Sequence, residues 1–128
     1  MRNRTGLCIL LILAILVLST YPVNAKVNNA TINKYWIYPG QTITLTHNVA
    51  AGYNSLLVDL EWYNTIVKLG LEIYSPAGTL VNRSETLGTN GYYKTQLAVL
   101  IQKPAMGNWT YVVTNENKGA GTYFSIPL

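Results

Sequence analysis

The chain has 128 residues, with nine Lys and Arg against five Asp and Glu and a formal charge of +4 with its one His neutral. Its one cysteine, Cys8, lies inside an apolar run, which excludes a disulfide framework, thiol catalysis and a zinc–thiolate site. The basic balance is concentrated at the start of the chain, and its meaning depends on what that start is.

Arg2 and Arg4 precede an unbroken apolar run over 7–18 (LCILLILAILVL), which is followed by YPVNA ending at Ala25. Basic, then apolar, then small is the order of a secretory signal peptide, predicted over 1–25. Twelve helical residues reach about 18 Å, short of the ~30 Å hydrocarbon core. The alternative is an uncleaved anchor reaching Val23, at about 25 Å the bottom of the spanning range. Removal of the leader leaves 103 residues, with seven basic and five acidic side chains and a charge of +2. Binding of nucleic acid by bulk charge then loses its support. What remains is one aromatic-rich domain, with 13 aromatic side chains against 12 charged ones.

Residues 26–33 (KVNNATIN) are polar, and 26–34 is read as a flexible N-terminal segment ahead of a domain over 35–128. Period-two alternation dominates after it. A short edge strand is predicted at 35–38. At 41–48 (QTITLTHN), Ile43, Leu45 and His47 share one face and three threonines the other. At 56–62 (LLVDLEW), Leu56, Val58, Leu60 and Trp62 face one side, and Leu57, Asp59 and Glu61 the other. Further strands are predicted at 69–75, 79–82, 92–101, 108–114 and 122–126. Gly and Pro turns such as Pro39-Gly40, Pro76-Ala77-Gly78 and Asn90-Gly91 punctuate them. Seven to eight short strands without a helical period predict an all-β fold, an antiparallel β-sandwich of jelly-roll-like form.

Three segments carry a family resemblance. GYNSLLVDLEW (52–62) is a Gly-led turn feeding an alternating strand. LGLEIYSPAGTLVNR (69–83) holds Tyr74, Pro76, Gly78 and Val81 in a hairpin pattern. KPAMGNWTYVVTNENKGAGTYFSI (103–126) holds Pro104, Gly107, Trp109 and Thr110, then Gly119, Gly121 and Tyr123. In this order the segments resemble the bacterial and archaeal pre-peptidase C-terminal domain, with the sandwich domain of proprotein convertases as second choice. The resemblance implies an accessory, non-catalytic extracellular domain. The family often has an acidic run before its hairpin strand. Here Lys68, Leu69, Gly70 and Leu71 stand there, and they offer no side-chain oxygen for calcium.

His47 invites a Ser-His-Asp reading with Asp59 and one of Ser55, Ser75, Ser84 or Ser125. No G-x-S-x-G elbow fixes a nucleophile, so a structural strand histidine is expected. Asp59 and Glu61 leave one face of one strand, and with Glu72 and Asn82 they are the oxygen donors to weigh for calcium, although no metal site is expected. Trp62 and Trp109 fall on apolar faces and are expected in the core. Trp36, Tyr38, Tyr53, Tyr63, Tyr92 and Tyr93 flank turns and strand ends. Exposed rings there suit stacking on sugars or protein surfaces, and the competing reading is that they cap the sandwich ends. Asn29, Asn82 and Asn108 head N-x-S/T sequons, acceptors for glycosylation in an exported chain.

The expectation is therefore a secreted or cell-surface binding module, not an enzyme and without a cofactor. Its expected partner is an extracellular protein or polysaccharide surface, and self-association is a further expectation. No nucleic-acid partner is expected, and a membrane only if the leader is kept. The alternative is a self-assembling surface or filament subunit that donates its N-terminal segment as a strand.

Overall fold

A computed structural model describes residues 32–86, 88–89 and 92–128. The predicted leader, Asn29 and residues 26–31 lie outside the described residues. Ten strands follow in chain order: β1 (Ile32–Ile37), β2 (Thr42–Val49), β3 (Ser55–Trp62), β4 (Leu69–Tyr74), β5 (Leu80–Glu85), β6 (Gly88–Thr89), β7 (Tyr92–Tyr93), β8 (Gln96–Gln102), β9 (Gly107–Asn115) and β10 (Thr122–Pro127). Eight of them form two antiparallel sheets, in the orders β1-β10-β3-β8 and β2-β9-β4-β5, while β6 and β7 make a small hairpin.

Among these eight, only β4 and β5 follow one another within a sheet; every other step crosses to the opposite sheet. That order is the double Greek key of a jelly roll, as the alternation predicted. The β4–β5 turn forms as expected, with the Gly78 N–H donating to the Ser75 carbonyl at 2.9 Å and the Ser75 N–H to that of Thr79 at 2.9 Å.

Two boundaries differ from the sequence reading. Ile32, Asn33 and Lys34 are not a free segment: they pair with Pro127, Ile126 and Ser125. These residues are part of the chain's own sheet, which removes them as a donor strand. The predicted strand over 92–101 is broken at Lys94 and Thr95. The Tyr93 N–H turns to the Thr65 carbonyl at 2.7 Å, so β7 is tied to the β3–β4 connection before β8 begins.

The inner faces supply the core. Val58, Leu60 and Trp62 from β3 and Phe124 and Ile126 from β10 meet Leu69, Leu71 and Ile73 from β4 and Trp109, Tyr111 and Val113 from β9. Each set is one parity of its strand, so alternation alone dictates which side chains are buried. Trp62 and Trp109 are buried as expected, and each indole N–H is satisfied, by the Val67 carbonyl at 3.0 Å and the Ala105 carbonyl at 2.8 Å. Among the described residues, the buried core lies between Ile37 and Ile126, within the sandwich itself.

A candidate binding face on the β1–β10–β3–β8 sheet

The opposite parity of the same strands builds the site. On β1 it holds Lys34 and Trp36, on β10 Tyr123 and Ser125, on β3 Leu57, Asp59 and Glu61, and on β8 Gln96, Ala98 and Leu100. Trp36 lies directly across from Tyr123, with ring centroids 4.8 Å apart at 67°. Tyr38 packs edge-on to the same indole, at 6.0 Å and 85°. These are edge-to-face geometries that aromatic pairs favour. All three rings remain open to solvent, with Trp36 40% and Tyr123 51% exposed.

The cluster has a rigid floor. A Cβ on Gly121 would stand 2.6 Å from Trp36 Cζ2 and 2.8 Å from the Ile37 carbonyl oxygen, so the indole lies on a residue without a side chain. Gly121→Ala should lift the Trp36 ring, with a red shift of its fluorescence and weaker binding on this face. Unchanged emission would show that the indole does not rest there. At Gly119 a Cβ would make only an ordinary contact with the Asn117 side chain, so that glycine is not demanded by crowding.

Three asparagines that sequence reasoning passed over hold the loops beneath the rings. Asn115 is fully buried; its Nδ2 donates to the carbonyls of Tyr38 (3.1 Å) and Ala120 (2.9 Å), and its Oδ1 accepts from the Asn117 N–H at 2.9 Å. Asn117 donates to the Ile66 carbonyl and accepts from the N–H groups of Gly119 and Ala120. Asn64 donates to the Gly121 carbonyl, and its backbone N–H donates to Thr122 Oγ1. Tyr38 and the 119–122 segment beneath the indole are thereby held in place.

Polar groups continue the face beside the rings. Gln96 Nε2 donates to Asp59 Oδ1 at 2.9 Å and to Glu61 Oε1 at 3.1 Å, so one amide orients both carboxylates. Lys34 Nζ sits 5.1 Å from the Tyr63 ring centroid, within cation–π range. Flat rings next to fixed carboxylates and an amide offer stacking surface together with acceptors for hydroxyl groups.

The other expected residues are distributed as follows. Tyr63 joins this face through Lys34, and the β6–β7 hairpin brings Tyr92 and Tyr93 to the same end through the bond to Thr65. Tyr53 precedes β3 and lies at its far end, about 25 Å away along the strand, so it does not join the cluster. Tyr123, expected only as a fold-motif residue, is part of the cluster, packed on Trp36.

The four calcium candidates do not converge. Asp59 and Glu61 are on β3, while Glu72 and Asn82 are on β4 and β5 of the other sheet. Glu72 is engaged by Arg83, whose Nε donates to it at 2.7 Å, and by the Tyr74 hydroxyl at 3.1 Å. The Arg83 hydrogen bond holds its carboxyl below the usual glutamate range, with the Tyr74 hydroxyl adding to the effect. Asn82 accepts from the Ser84 hydroxyl. Lys68, where the resembled family often has acidic residues, reaches Glu85 (3.1 Å) and Glu116 (3.5 Å), and the bond to Glu85 raises its pKa most. No group of three metal-ligating side chains occurs among the described residues. Of the sequons described, Asn108 is exposed on β9 and accepts from Asn48 Nδ2 at 2.8 Å.

His47 faces inward on β2 and stacks on Tyr111, at 6.1 Å and 18°. Asp59 is on the outer face of the opposite sheet, so the two cannot form a triad. Burial lowers the His47 pKa. Below about pH 6.5 the unfolded chain takes up this proton first, so stability should be level above that pH and fall as pH drops through it. Thermal melts at pH 7.5 and 5.5 should show the drop, and His47→Phe should shrink it. An undiminished drop in that variant would place the effect elsewhere.

No protein-family model and no curated protein matches the chain. Solved structures do. A Clostridium perfringens CspB protease structure aligns over 79% of this chain at 17% identity, with a TM-score of 0.60. The chain spans only 26% of that protein. The Yersinia pseudotuberculosis-derived mitogen aligns over 77% of this chain and 83% of its own, at 11% identity and a TM-score of 0.53. The pre-peptidase C-terminal domain of Bacillus anthracis collagenase also matches, over 75% of this chain and 86% of the domain, at 17% identity and a TM-score of 0.49. The likeness is one of fold alone, a β-sandwich.

Proposed function

We propose that the chain is an exported, non-catalytic β-sandwich module that binds polysaccharide through the outer face of its β1–β10–β3–β8 sheet. The observation that carries this is the cluster of Trp36, Tyr38 and Tyr123, solvent-open on a braced floor and adjoined by the Asp59–Gln96–Glu61 group. A sugar ring stacks its C–H face on an aromatic ring and offers hydroxyl groups to carboxylates at its rim. Separation of His47 from Asp59 supports a binding role over a hydrolytic one. The leader-like sequence over 1–25 supports export.

Residues 26–128 should be retained on at least one insoluble polysaccharide among chitin, cellulose and isolated cell-wall glycan. Trp36→Ala and Tyr123→Ala should each weaken retention about tenfold, the equivalent of ~1.4 kcal/mol. Tyr53→Ala, at the far end of β3, should leave it unchanged. Equal retention of the Trp36 variant and the parent would overturn this assignment of the face, and retention only on protein surfaces would replace the ligand class.

A further inference from the structure

Four strands end the two sheets: β1 and β8 in one, β2 and β5 in the other. A sheet edge is a template for another strand unless something blocks it. β1 carries Lys34, and β5 carries Arg83 and Glu85 beside a register shift at Ile73/Tyr74. β2 has a threonine-rich, hydrated outer face. β8 has none of these features. Its sequence is QLAVLIQ, without charge, proline, glycine or bulge, and all seven residues keep register with β3.

Among the described residues, no strand pairs with β8 on the side away from β3. The Trp62 N–H donates to the Thr95 carbonyl at 3.0 Å, and the Lys103 N–H to that of Asn54 at 2.8 Å. Antiparallel pairing alternates, so the odd-numbered residues between them bond to β3. Gln96, Ala98, Leu100 and Gln102 therefore direct their N–H and C=O groups away from the sheet, and all four are exposed. On the outer face Leu100 lies across from Leu57, and each is 56% exposed, an apolar pair at the sheet margin.

We infer that β8 is a homodimer edge, pairing antiparallel with β8 of a second copy about a two-fold axis at Val99. The strand is self-complementary about that residue. The axis pairs Gln96 with Gln102, amide to amide, and Ala98 with Leu100, small to large. Leu97 meets Ile101 on the inner face. The parity also agrees, because the outward residues 96, 98, 100 and 102 are the ones this axis places opposite one another as hydrogen-bonded pairs. An isologous contact of this kind closes on itself and does not propagate into a filament. It makes one continuous eight-stranded sheet, sets each Leu100 beside Ala98 of the other copy, and places the two Trp36 clusters at opposite corners of a single surface. Two saccharide sites on one rigid body would then engage a long glycan with avidity.

Light scattering on residues 26–128, which hold every core residue among the described ones, should give twice the monomer mass at micromolar concentration. Ala98→Pro removes an N–H that β3 does not use and fills the space of an incoming strand, so it should return the mass to monomer. Thr44→Pro, the matching change on the β2 edge, should leave the dimer intact. Val99→Cys should oxidise to a covalent dimer, because residues facing across the axis stand about 4.5 Å apart at Cα, within disulfide range. A monomeric parent, a dimer that survives Ala98→Pro, or a dimer lost only with Thr44→Pro would overturn the inference. Should Ala98→Pro fail to fold by circular dichroism, absence of the Val99→Cys cross-link would overturn it alone.

Discussion

Asn115→Asp should lower the stability of the sandwich by roughly 3–5 kcal/mol at neutral pH, although it changes one NH2 for one oxygen. In the native chain the Asn115 amide donates to two carbonyls, those of Tyr38 and Ala120, from a fully buried position. A carboxylate there would aim negative oxygen at both carbonyls and lose both bonds. Burial and those dipoles would raise the pKa of the new carboxyl in the folded chain. The charge penalty is then full above that raised folded pKa and is relieved as pH falls from it toward the unfolded aspartate value of about 3.9, the folded state taking up the proton first. At ~4–8 °C per kcal/mol for a domain of this size, the melting temperature should fall by roughly 12–40 °C at pH 7. The gap to the parent should narrow toward pH 4, where the His47 effect lowers the parent too. Asn115→Leu should cost a similar amount at every pH, since it strands the same carbonyls without a charge. A melting temperature for Asn115→Asp within a few degrees of the parent would mean that water replaces the amide. Because Tyr38 is one of the anchored residues, glycan retention should fall in both variants.

That amide was invisible in the sequence for a physical reason. NENKGAG (115–121) has the composition of a solvated loop, and only the fold brings the Asn115 side chain to Tyr38, 77 residues earlier. What the sequence displayed was parity. LLVDLEW divides into Leu56, Val58, Leu60 and Trp62 inside and Leu57, Asp59 and Glu61 outside, and the structure keeps that division. Parity assigns a face within a strand but not the sheet that the strand joins. The jelly-roll crossings place β3 and β4 in different sheets, which separates Asp59 and Glu61 from Glu72 and Asn82. The same limit hid the Trp36–Tyr123 pair, since β1 meets β10 across nearly the whole chain. The strand break at Lys94 was hidden because its cause is a bond from Tyr93 to Thr65.

Trp109→Ala should be the most damaging single core change, at about 3–5 kcal/mol, with Trp109→Phe milder by the volume that the smaller ring still fills. Trp109 lies on β9, between β2 and β4, and its N–H closes the preceding turn by donating to Ala105 at 2.8 Å. The turn before it ends at Gly107, where φ is 130° and a Cβ would stand 2.9 Å from Pro76 Cβ. Pro76 belongs to the β4–β5 hairpin, so two of the three segments that carry the family resemblance touch one another here. Their spacing in sequence reflects one packed corner: a proline from one turn against a glycine in the next, locked by an indole. Gly107→Ala should therefore cost ~1–3 kcal/mol, from backbone strain and from the contact with Pro76. Pro76→Gly in the same chain, which removes that Cβ, should recover only the contact share, because the strain at φ 130° stays. Chemical denaturation of the two single variants and the double variant separates the shares. Full additivity would show that the corner is not packed through this contact, whereas partial recovery ties the hairpin and the β9 turn into one structural unit.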